Sequence, residues 1–176
     1  MKKLIVLIFI SMMVLLGCEK KTAEPIIHQT ENISELSCGK HSIDSLMMAL
    51  VDALNQSDTI RVRSFFITEA EHNQLLGSEF HVHYPSVTKE SLPALWENLS
   101  LKTQKGFLKL MGNYAGKNYQ FVSVRFSQDD EIYSTFRLHQ GTILTLRDSL
   151  KNEIEITWLG SVAERNGIFK ILSIKG

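Results

Sequence analysis

His81 and His83 stand two residues apart, with His72 close by in sequence, and three imidazoles are a set from which zinc or copper takes nitrogen ligands. In an extended segment the two would project to one side. No cysteine or carboxylate stands at a fixed offset to complete a metal site, so the pair reads as a surface feature beside Pro85, and no metal ligand is assigned. Acid–base chemistry inside a cavity would need a buried carboxylate with a tyrosine or histidine facing it. Tyr119, Tyr133, Asp148 and His139 are of the right types, but no motif groups them. A glycine-rich phosphate loop, a nucleophile elbow, a His-Glu-x-x-His helix and an EF-hand are all missing. The residues therefore name no catalytic set and no cofactor.

The one position with a sharply defined chemistry is Cys18. Met1-Lys2-Lys3 leads into the apolar run 4–16, thirteen residues long, and then Gly17-Cys18. Basic residues ahead of a short greasy run form an export signal. Crossing a bilayer takes roughly 20 apolar residues, so this run inserts for export and spans poorly. Leu15-Leu16-Gly17-Cys18 resembles the bacterial lipobox, with Leu16 larger than is usual there. The resemblance implies a diacylglyceryl thioether on Cys18, cleavage after Gly17 and acylation of the new amino terminus. Several acyl chains hold durably where one holds marginally. Glu19, where an aspartate would retain the protein in the inner membrane, points to the outer membrane facing the periplasm; the inner membrane and the cell surface stay open.

Removal of residues 1–17 takes away two lysines and no acid, leaving a mature chain of net charge −2. A nearly neutral chain lacks the clustered positive charge of a nucleic-acid binder. With Cys18 lipidated, Cys38 has no partner for a disulfide and reads as a small residue beside Gly39.

Residues 18–40 are polar and weakly patterned and read as a lipidated flexible tether, with a single domain at 41–176. Ile43, Leu46, Met47, Leu50, Val51 and Leu54 share one helical face, with Ser42 as cap and Asp44 in the first turn. Methionine at this spacing is core filler. Thr68 with Glu71 is a capping box for a helix that Gly77 would end. Residues 79–84 read as a short strand or a loop. Ser91-Leu92-Pro93 opens a helix carrying Leu92, Leu95, Trp96 and Leu99, and a second amphipathic piece ends at Gly112. From there the period turns strand-like over 119–126, 132–138, 142–146, 154–162 and 168–174. Asn166-Gly167 suits a two-residue hairpin turn. The expected fold class is α+β: helices first, then a meander of antiparallel strands curved around them.

The helix at 42–56, the short helix opened by Asp58 and the closing Asn166-Gly167-Ile168-Phe169-Lys170-Ile171 resemble the nuclear transport factor 2-like, or cystatin-like, α+β cone. That resemblance covers about 42–176. It implies a cavity at the wide end of the cone, used by some members for isomerase, dehydratase or cyclase chemistry and by others for binding. No catalytic residue carries over from it. Phe65, Phe66, Trp96, Phe107, Tyr119, Phe121, Phe126, Phe136 and Trp158 are the aromatic stock for a core or a pocket. The expected function is a membrane-anchored envelope module that binds a small hydrophobic ligand or an envelope protein without catalysis; the alternative is a small cone-shaped enzyme acting on a hydrophobic molecule.

Overall fold

A computed structural model describes residues 35–175; the export signal, Cys18 and most of the tether lie outside the described residues. Helix α1 (Ile43–Asn55) starts where the Ser42 side chain accepts from the Ser45 amide. Its inward stripe of Leu46, Met47, Leu50, Val51 and Leu54 is fully covered, whereas Met48 is exposed. Asp58 caps α2 (Thr59–Ser64) by accepting from the Arg61 amide. Thr68 and Glu71 form their capping box at α3 (Glu69–Glu71).

Two helical expectations are corrected. Gly77 does not end the third helix. The chain passes through a π-helical turn, His72–Leu76, into a 3₁₀ stretch, Gly77–Val82, which replaces the expected strand or loop. Gly77 keeps right-handed φ and ψ, and a Cβ there would press on the Leu92 methyls. Close packing, not a helix stop, is its reason. Nor does the next helix break in two: α4 runs unbroken over Leu92–Tyr114 with Pro93 in its first turn, and the left-handed glycine behind it is Gly116.

The strands are β1 (Gln120–Phe126), β2 (Glu131–Ile132), β3 (Arg137–His139), β4 (Thr142–Arg147), β5 (Glu153–Leu159), β6 (Val162–Arg165) and β7 (Ile168–Ile171). The register shows a bent meander. β4 pairs with β5 from Arg147↔Glu153 to Thr142↔Leu159, and across a kink β3 pairs with β6 from His139↔Val162 to Arg137↔Glu164. Gly141 at φ +66° makes the corner on one strand, and Gly160-Ser161 faces it on the other. β1 adds to the β4 side, while β2 and β7 add to the β3–β6 side. The expected strand 132–138 folds back on itself because Tyr133 N–H donates to Phe136 O, and Glu79 accepts from Ser134 Oγ and the Thr135 amide. The fold is thus α+β, helices first and antiparallel strands after.

The bend divides the core. One apolar cluster joins α1, Phe65, Phe66, Phe107 and Leu110 to Leu144, Leu146, Ile156 and Leu159; the other joins Leu75, Leu76, Tyr133, Phe136, Leu138 and Leu172. Leu36 belongs to the second cluster, and Lys40 bridges to Phe169. Residues 36–40, expected in the tether, are therefore packed into the domain.

Candidate functional site

Beside the second cluster an open cleft of about 480 Å³ lies between the β2–β3–β6 side of the bent sheet, the segment 80–87 and the first turns of α4. Its apolar wall comes from Phe80, Val87, Leu95, Leu99, Leu138 and Leu172. β-Strand alternation sends Leu138 to the cleft and its neighbour His139 to the opposite face. Ser161 and Gln140 reach the cleft from the kink, where the glycines turn the strands.

Polar groups converge at one end. Tyr84 Oη and Tyr133 Oη donate to the two carboxylate oxygens of Glu131, at 3.1 and 2.9 Å. Burial, then the bond to Glu131, raises both phenols above their ordinary value, so they stay protonated donors. Each Glu131 oxygen keeps lone-pair capacity for a further donor. The exposed His83 ring packs against Tyr133 at a tilt of 40°, 4.4 Å between centroids, and its Nε2 lies 3.0 Å from Ile132 O. His72 also lines the cleft, packed between Phe80 and Trp96, with Nδ1 2.7 Å from Asn73 Oδ1. Burial pushes its pKa down, so the imidazole is neutral at neutral pH.

Underneath, Glu71 and Lys170 form an ion pair at 2.7 Å with both side chains about 1% exposed. Glu71 also accepts from the Ser37 amide, Ser37 Oγ and the Thr68 amide. Burial raises the carboxyl, but the bonds from Lys170, Thr68 and Ser37 outweigh it and hold Glu71 below its ordinary value. This pair anchors the turn that carries His72.

The residues singled out in sequence scatter. Only His72 lines the cleft; His83 is exposed and packs against Tyr133 without lining it, and His81 is exposed on the 3₁₀ stretch. Among the described residues no group of three or more His, Cys, Asp or Glu side chains is arranged to hold a metal ion. Tyr133 reaches the cleft. Tyr119 is tied by its backbone to Asn55, and Asp148 knots its own loop by accepting from Leu150 and Asn152. His139 sits between Asp130 and Glu164, at 3.0 and 2.9 Å, stacked on Phe126. Cys38 is exposed and free. Most of the aromatic stock is core, as with Phe65, Phe121 and Trp158. Glu131, Tyr84 and Gln140 escaped notice, since single polar residues in irregular segments carry no periodic signal. No family model, no curated protein and no solved structure matches the chain. Among the described residues no helix is long and apolar enough to cross a membrane.

Proposed function

We propose that the chain is a lipid-anchored envelope protein, tethered through Cys18, whose domain binds a small hydrophobic molecule carrying a hydrogen-bond donor, without transforming it. The observation that carries this reading is the cleft itself: a mostly apolar hollow of about 480 Å³ with a few polar groups gathered around Glu131. That is the composition of a small-molecule site. The apolar wall supplies affinity, and the Glu131 carboxylate, oriented by two tyrosines, selects a ligand hydroxyl or N–H. The kinked meander with helices packed on it supports kinship with the cystatin-like cones. The anchor rests on residues 15–18 and keeps the cleft near a membrane, where hydrophobic molecules concentrate.

The test uses the full chain and N-phenyl-1-naphthylamine, a neutral probe with one N–H whose fluorescence rises in apolar surroundings. Saturable one-to-one binding is expected, with Leu95→Glu weakening it at least about tenfold and Glu131→Gln several-fold. Leu95 is 38% exposed, so its variant folds. Binding that neither substitution affects refutes the assignment of the cleft. Turnover of hydrophobic carbonyl or hydroxy compounds that disappears in His72→Gln replaces the binder with an enzyme. Cys18→Ser must abolish acylation and signal cleavage; unchanged processing removes the anchor.

A further inference from the structure

A second hollow, of about 300 Å³, opens between the end of α2, the residues that follow it and the outer flank of α4. Phe66, Ile67, Trp96, Phe107 and Leu172 give it an apolar floor. Leu172 lines both hollows, and Trp96, packed on His72, stands at the division between them. The polar inventory here is of the opposite sign to that of the larger cleft. Where Glu131 presents an acceptor, this hollow presents donors.

The Arg63 guanidinium lies 4.2 Å over the face of Phe107 and among the described residues makes no ion pair and no hydrogen bond. Its planar fork is held at the rim with its N–H groups unspent. Thr103 lines the hollow as well, but its Oγ1 is covered by the protein, so its hydroxyl is out of reach of anything that enters there. Gln104 adds an amide to the same wall.

We propose that this hollow is a second binding site, specific for a small carboxylic acid with an aromatic or branched apolar body. Arg63 takes the carboxylate, and the body lies on Phe66, Phe107 and Trp96. One planar cation matches a planar monoanion. A phosphate dianion would ask for more charge than the site holds. The hollow is too small for a long acyl chain and fits about the volume of a substituted benzene ring with its acid arm.

The chain has two tryptophans, so in a Trp158→Phe background Trp96 alone reports on this hollow. Full-length protein is titrated with phenylacetate and with the uncharged phenylacetamide. Phenylacetate quenches or shifts Trp96 emission saturably and binds at least tenfold more tightly than the amide. Arg63→Gln removes that preference, and Arg63→Lys keeps part of it. Glu131→Gln and Leu95→Glu leave phenylacetate binding in place, which separates this site from the larger cleft. Equal affinity for acid and amide, no saturation, an unchanged acid affinity in Arg63→Gln, or loss through the Glu131 or Leu95 variants each overturns the proposal.

Discussion

Glu71 and Lys170 face each other from positions 99 residues apart, and each makes sense only because the other is there. A buried charge left without its partner costs about 3–5 kcal/mol, whereas an apolar pair of similar volume is often neutral. Lys170→Met is therefore expected to lose that amount in urea unfolding, and Glu71→Leu combined with Lys170→Met to regain most of it. The same residues set the acid response. His72 is held below its ordinary value of 6.5 and Glu71 below its own of 4.5, so each binds protons more readily when the chain is unfolded. Each contribution is complete above the unfolded value and fades as pH falls through the folded one. Stability should thus decline in two steps, beginning below about 6.5 and again below about 4.5. Denaturation midpoints between pH 7 and 3 check this, and His72→Phe should remove the upper step alone.

At the scale of the elements, α4 carries two glycines with opposite roles. Gly106 is buried where a Cβ would run into Ile174, the residue that continues β7 to its bridge with Leu159. Gly112 is exposed, with nothing within 4 Å of where its Cβ would be. Helix propensity favours alanine over glycine by about 1 kcal/mol at both. Gly112→Ala should accordingly raise the unfolding free energy by about 0.5–1 kcal/mol. Gly106→Ala should lower it by about 1–3 kcal/mol, because overpacking outweighs propensity. Thermal unfolding of the two variants decides the matter. Read as sequence, Gly112 looked like a helix end and Gly106 went unnoticed; the neighbour across the core separates them.

For the molecule as a whole, the domain reaches further towards the amino terminus than its polar composition suggests. Leu36 is 5% exposed in the second cluster, and Ser37 gives Glu71 two hydrogen bonds. A chain starting at Ser42 leaves a hole and strips two donors from a buried carboxylate. It should lose at least about 3 kcal/mol relative to one starting at Asn32. Limited proteolysis of the full chain should stop near residue 35, not near 41.

By itself the sequence determined whatever is decided within a few residues. The Ser42, Asp58 and Thr68 caps, the stripe of α1 and the hairpin at Asn166-Gly167 rest on backbone preferences and hydrogen bonds closed inside one turn. Helices followed by antiparallel strands could be read the same way, from periods of about 3.6 and 2. The tertiary structure alone decided where distant residues meet. The bend at Gly141 and Gly160, the pairing of Glu71 with Lys170, and the gathering of Tyr84, Glu131 and Tyr133 at one end of a cleft each join segments far apart in the chain. A polar residue's type is printed in the sequence. Its dielectric surroundings, its partner and the cavity it faces are made only when the chain closes on itself.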